Sequence, residues 1–333
     1  MGHQYSRTGG AGALRGLGKR TETPILLFTL AVYLAFFVVA PNFRGATNLM
    51  VIVQQIAING MVALGMTIVI MIGGMDLSVG SVLSLCGVCG GMLDNAGLPI
   101  FLTVALTLCL GMAAGAVNGL LITRLHIPDI IVTLATMNIF RGVAVIITGA
   151  KWVTDFSPAF KAVGSTAGGF LCPPVVMYAI AIAVFAFMLR KMNFGRKLYA
   201  LGGNPGAASL MGMNVNSLRV RVYVVNGLLL AMAGLMFASM MNSIQAATAA
   251  TGLQFQTMSA ALIGGANIFG GAGSVLGTVA GSFLMGVIKN GLVQIHASEY
   301  WLDFFTGAII LLALIVNLLQ SRKGRGKRHG NGK

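Results

Sequence analysis

Side chains able to do chemistry are scarce in this chain, and their spacing narrows the possibilities at once. Its 333 residues hold four cysteines, four histidines and seven acids. Cys86 and Cys89 form a Cys-x-x-Cys, but dithiol exchange needs such a pair at a water-exposed helix start after a strand. Here the pair lies inside an apolar run, which predicts buried, inert thiols. His3, His126, His296 and His329 have no ligand spacing, so no metal site is expected. No Gly-x-x-x-x-Gly-Lys-Ser/Thr phosphate loop occurs, and no nucleophile and base are suitably spaced. Six acids (Glu22, Asp94, Asp129, Asp155, Glu299 and Asp303) fall in tails, loops or the ends of apolar runs. Asp76 alone interrupts an apolar stretch, just after Gly73-Gly74. An ionisable residue at such a depth is a functional candidate by default. It can cap a helix starting near Leu77, its charge facing the positive helix end, or it can contact a passing solute. The residue types favour the cap.

The elements that must position these groups are membrane helices. Hydrophobic residues make up 56% of the chain and charged residues only 9%, where a soluble domain carries about 25% charged residues. Mean hydropathy is +0.87. No water-soluble core hides that much apolar surface, so the expected fold is all-α, a polytopic integral membrane protein. Apolar runs predict ten spans: 24–40, 49–72, 77–93, 98–122, 130–148, 173–189, 220–241, 255–269, 274–293 and 301–319. A crossing needs roughly 20 residues. Several runs are shorter, so broken or re-entrant helices are expected, and Gly73-Gly74 marks one break. Forty-six glycines and twenty methionines suit close helix packing and a mobile interior. Gly111, Gly115 and Gly119, and again Gly273, Gly277 and Gly281, recur every fourth residue, as a packing ridge would. Gly80-Ser81-Val82-Leu83 recurs at 273–276 and Val117-Asn118-Gly119-Leu120-Leu121 at 225–229, but the spacing between the two words differs.

A net charge of +15 would suggest a nucleic-acid partner in a soluble protein. Its distribution argues instead for membrane orientation. Basic residues crowd the tails (1–23 and 321–333) and the 190–221 stretch, whereas the opposite loops hold only Arg44, Lys151 and Lys161. This places both termini and 190–221 in the cytoplasm and the permease domain at 24–320. The first apolar run lacks a cleavage pattern suited to removal.

Within 190–221 the residues spell a short capped helix. Asn204 can cap it, Pro205 suits its first position, and Gly212 suits its left-handed end. Gly206, Ala207, Ala208, Ser209, Leu210 and Met211 form little more than one turn, marginal unless packed against something. Gly195, a basic residue, Tyr199-Ala200-Leu201-Gly202-Gly203-Asn204-Pro205, two alanines and Gly212-Met213-Asn214-Val215 resemble the coupling loop of sugar-importing ABC permeases of the ribose type. Three further stretches resemble that family in the expected order: Gly73-Gly74-Met75-Asp76-Leu77-Ser78-Val79-Gly80-Ser81; Asn118-Gly119 through Pro128 to Met137 and Arg141-Gly142; and Gly264-Gly265-Ala266-Asn267-Ile268-Phe269-Gly270-Gly271-Ala272-Gly273-Ser274.

The resemblance covers residues 25–320. It implies a bacterial inner-membrane permease subunit, without cofactor or catalysis of its own, that imports a monosaccharide or small polyol. Its implied partners are an ATPase subunit carrying ATP and Mg, a second permease copy or sister permease, a periplasmic binding protein and membrane lipid. Gly195, Asn204, Pro205, Gly206, Ala207, Ala208, Leu210 and Gly212 would serve the ATPase coupling. Gly73, Gly74, Asp76, Ser78, Asn118, Gly264 and Gly265 would form helix breaks or the path. Thr133, Thr136 and Asn138 would line the path or bond their own backbone. The chain departs from the family at Asp129, at Gln254 and Gln256 where acids are usual, at Gly206 where an acid is common, and at Ser209 where Arg is common. An ion-coupled transporter would need carboxylates at the bilayer midplane, which only Asp76 approaches. A membrane enzyme would need a catalytic constellation.

Overall fold

The computed structural model describes residues 22–298, 300–312 and 315. The expected basic tails lie outside the described residues, except for 22 and 23, which open the first helix. Among the described residues the α-helices run, in chain order, α1 Glu22–Val39, α2 Ala46–Met71, α3 Val79–Asn95, α4 Ile100–Leu125, α5 Asp129–Thr148, α6 Pro158–Val163, α7 Pro173–Lys191, α8 Asn193–Gly203, α9 Pro205–Leu210, α10 Val215–Met241, α11 Leu253–Ile263, α12 Val275–Gln294 and α13 Tyr300–Leu312. Two-residue strands, β1 Trp152–Val153 and β2 Ile244–Gln245, pair antiparallel.

Six helices (α2, α4, α5, α7, α10 and α12) are long and apolar enough to cross a bilayer. The apolar parts of α1, α3 and α13 are shorter. The run expected as an eighth span at 255–269 instead contains an 11-residue helix, α11. It stops at Gly264-Gly265, with Gly265 left-handed at φ 88°, and turns carry the chain to α12. Helix ends follow local chemistry. Pro99 and Pro128 precede α4 and α5, Pro173 opens α7, and Gly149 ends α5 in the left-handed conformation that glycine tolerates.

Helix α10 is the centre of the bundle and packs most extensively on α4, then on α3 and α2. Lipid is as apolar as leucine, so close approach rather than water exclusion holds such helices together. The small residues are placed accordingly. Gly111, Gly115 and Gly119 on α4 lie against Gly227, Tyr223 and Val220 of α10. Gly277 and Gly281 on α12 meet Gly264 and Ala260 at α11, while Gly273 packs on the Met71 side chain. Both four-residue ridges are therefore packing seams. Thr67 on α2 and Thr278 on α12 bond across their seam at 2.6 Å, a contact typically worth about 0.6 kcal/mol in a membrane.

Both Cys86 and Cys89 sit inside α3, the first buried and the second half-buried, and no disulfide joins them. At the end of the bundle remote from α8 and α9, Asp94 accepts from the Ser157 amide (2.7 Å) and hydroxyl (2.6 Å). Arg141 there donates to the carbonyls of Ala246 and Ala249, both at 2.7 Å. These bonds tie the long loop 149–172 to the end of α3 and the segment after β2 to the body of α5.

Candidate functional site

Two interruptions of the helices and one short surface module meet at a single place. The first interruption runs from Ile72 to Ser78. Gly73 adopts φ 73°, a conformation open to glycine at little cost, and the chain re-enters α3 at Val79. The regular helix starts at Val79 rather than near Leu77, and Asp76 makes a cap-like bond just ahead of it but also reaches further. Its Oδ1 accepts from the Ser78 amide (2.9 Å) and hydroxyl (2.6 Å), and its Oδ2 accepts from Asn226 Nδ2 (2.8 Å) on α10. Asn118 on α4 donates to the Ser78 hydroxyl at 2.8 Å. All four side chains are buried. The carboxylate is therefore an almost wholly buried knot joining the break to α10 directly and to α4 through Ser78. The repeated Val-Asn-Gly-Leu-Leu words supply the two asparagines. One word follows the Gly-Ser-Val-Leu of α3 and the other precedes the Gly-Ser-Val-Leu that opens α12, so their order does not describe a simple duplication.

The same break is held from its other side. Tyr223 Oη lies 3.0 Å from Asp129 Oδ2 and 3.2 Å from the Met75 carbonyl. Arg219 reaches Asp129 at 3.4 Å. Thr133 donates to its own helix at Asp129 O (2.8 Å) and lies 3.3 Å from Met75 O. Thr136 and Asn138 bond the Thr133 and Leu134 carbonyls, and Asn138 is exposed. The backbone-bonding alternative thus describes all three residues, with Thr133 also reaching the break. Sequence reasoning set Asp129 apart only as a departure from the resembled family. The signal for its partners was the i, i+4 pair Arg219 and Tyr223, which shares one face of α10.

The second interruption, Gly264 to Ser274, folds back onto the first. Gly271 N–H donates to the Met71 carbonyl at 2.9 Å. A Cβ at Gly270 would stand 2.9 Å from both the Gly73 nitrogen and the Gly202 carbonyl oxygen. A Cβ at Gly264 would enter the backbone of Gly277. Gln254, at one of the positions where the family carries acids, lies over the start of α3: a Cβ at Gly80 would stand 3.4 Å from its Oε1.

The surface module is α8 and α9. Its α8 buries Gly195, Leu198, Leu201 and Gly202. The Gly202 backbone is pressed against Met71 and Gly271 so closely that a Cβ would collide with both. The Tyr199 hydroxyl donates to Gly273 O at 2.8 Å. One helix thus rests on both interruptions. Next, α9 forms as its sequence suggests: Asn204 Oδ1 accepts from Ala207 N (3.0 Å), Pro205 takes the first position and Gly212 is left-handed at φ 77°. Ala208 is 1% exposed and turned into the chain, while Leu210 and Met211 are 91% and 74% exposed. Asn204, Pro205, Gly206 and Ala207 are exposed too. Gly195 and Ala208 therefore shape the module from within, and Leu210 and Met211 form its outward apolar face. Among the described residues no group of three His, Cys, Asp or Glu could hold a metal.

Replacing Asp76 by alanine leaves three buried donors without their acceptor, each costing about 1–3 kcal/mol. The expected result is a clear fall in thermal stability in detergent, with Asp76→Asn intermediate. If Asp76→Ala melted like the parent and lost only transport, the side chain would be acting on solute rather than joining helices.

Comparison with known proteins bears on the whole arrangement. The chain is 34% identical over 288 residues to the ribose import permease protein of Haemophilus influenzae, covering 85% of this chain and 89% of that one. It is 32% identical over 302 residues to the autoinducer 2 import system permease protein of Photorhabdus luminescens, covering 91% of each. A solved structure described as an inward-facing conformation of a metal-chelate type ABC transporter shares the fold, with TM-score 0.51 at 15% identity, over 93% of this chain and 99% of that one. Residues 48–314 match the family described as branched-chain amino acid transport system / permease component, and the chain belongs to that family of multi-pass membrane permeases.

Proposed function

We propose that this chain is the membrane subunit of a bacterial ABC importer, passing a monosaccharide or related small polyol across the inner membrane. A separate subunit hydrolyses ATP, so the chain is a permease and not an enzyme. A periplasmic binding protein delivers the solute, and a second permease copy or a sister permease completes the pathway. This reading has ten crossings with both termini in the cytoplasm, α11 and the Gly264–Ser274 turns together making the eighth. The named relatives carry ribose and autoinducer 2, which favours a small polyhydroxylated solute over an amino acid.

The observation that carries this reading is α8 resting on both helix interruptions while α9 turns an apolar face outward. In this reading Leu210 and Met211 enter a cleft of the ATPase, and its nucleotide-driven closure moves α8. That motion reaches the Gly73 and Gly270 turns and so biases the equilibrium between inward- and outward-open states. The test is uptake into proteoliposomes holding the chain, its ATPase and its binding protein, supplied in turn with labelled pentoses and a branched-chain amino acid. Saturable uptake of a sugar is expected. Uptake of the amino acid alone would overturn the substrate class.

A further inference from the structure

A cavity of about 620 Å³ opens between the end of α4 and the start of α10, at the end of the bundle that carries α8 and α9. Its lining is graded. On α4, Leu120 lies one turn further in than Arg124 and His126, while Val220 and Arg221 stand side by side in the second turn of α10 and Asn216 in its first. The apolar side continues over the exposed side chain of Val117, one turn further along α4. Among the described residues no hydrogen bond or ion pair engages Arg124 or Arg221. Asp129, which borders the adjoining smaller opening, is already engaged by Arg219 and Tyr223. Two guanidinium groups without a counter-charge thus stand beside an apolar wall near the end of α4 and the start of α10.

We propose that this cavity holds an anionic phospholipid, its phosphate between Arg124 and Arg221 and its acyl chain along Leu120 and Val117. Guanidinium groups match phosphate oxygens in geometry as well as charge. The polar-to-apolar gradient fits an amphiphile, whereas free phosphate has no use for the apolar wall. A lipid seated between α4 and α10 would brace the helices that supply Asn118 and Asn226 to the Asp76 knot. The proposal depends on the importer reading only for which membrane face the lipid occupies.

The test uses the full chain and does not depend on transport or on sidedness. Parent and Arg124→Gln/Arg221→Gln are reconstituted in nanodiscs of equal phosphatidylcholine and phosphatidylglycerol, extracted in mild detergent and weighed by native mass spectrometry. The parent is expected to retain phosphatidylglycerol selectively. The double variant should lose roughly tenfold or more of that selectivity, since each surface cation contributes about a fivefold preference. Both substitutions are at exposed positions, so an unchanged melting profile is expected to accompany the loss. Equal lipid retention by parent and variant would overturn the proposal. So would displacement of the lipid by soluble glycerol phosphate, which would make the site a free-phosphate site. Loss of ATPase binding with lipid retention intact would mark the cavity as a protein contact and overturn it too.

Discussion

The double substitution Leu210→Asp/Met211→Asp is expected to abolish retention of the ATPase subunit during co-purification and to abolish ATP-driven uptake, while the chain itself should still insert and elute as the parent does. The reason is geometric. Both side chains are mostly exposed, so replacing them disturbs no internal packing. In a protein cleft each would contribute about 1.5–3 kcal/mol of apolar burial. Losing both and desolvating two carboxylates amounts to a weakening of at least about a hundredfold, given roughly 1.4 kcal/mol per factor of ten. Ala208 is the wrong place for the same test, because it is buried inside the chain and a charge there would unfold the module. Retention of the ATPase by the double variant would mean that another surface carries the docking.

Substitution of Gly202 by valine is expected to separate docking from transport. The side chain would collide with the Met71 carbonyl and the Gly271 backbone, neither of which yields as a flexible side chain does. Overpacking of this kind costs about 1–3 kcal/mol. The module can relieve it by lifting α8 off the two interruptions, which strains the Tyr199–Gly273 bond. The ATPase should then still co-purify and hydrolyse ATP, with solute uptake reduced by tenfold or more. Gly203→Val is the control, since a Cβ at that exposed position meets nothing. Normal uptake by Gly202→Val, measured beside ATP hydrolysis in the same vesicles, would show that force does not travel through this contact.

Local features of this architecture were legible in the sequence because local chemistry sets them. The α9 helix with its Asn204 cap, Pro205 start and Gly212 stop follows from neighbours within one turn. The break at Gly73 follows from two adjacent glycines, and the packing seams from four-residue glycine spacing. Long-range pairing was not legible. Asp76 finds Asn226 150 residues away and Asn118 reaches Ser78 across 40, so hydropathy alone showed an acid beside a helix start and suggested a cap. Helix α8 escaped notice because it is short, polar on one face and carries three glycines. It is stabilised by lying on the bundle rather than by propensity. The eighth span read as a continuous apolar run because glycines that end a helix at 264 are as apolar as those that pack inside one. That the four matching stretches were related in space could not be read at all. Three of them meet at Gly202, Gly73 and Gly270, and the fourth reaches the same break through Asn118, Asp129 and Thr133.

The most direct test of the account is the energy source of uptake. Proteoliposomes containing the chain, its ATPase and the solute-loaded binding protein are given internal or external ATP, with sodium and proton gradients either imposed or collapsed by ionophores. Uptake should require ATP on the ATPase side, track its hydrolysis, and persist unchanged when both gradients are collapsed. Uptake driven by an ion gradient without ATP or the ATPase would contradict the account and leave the chain an ion-coupled transporter.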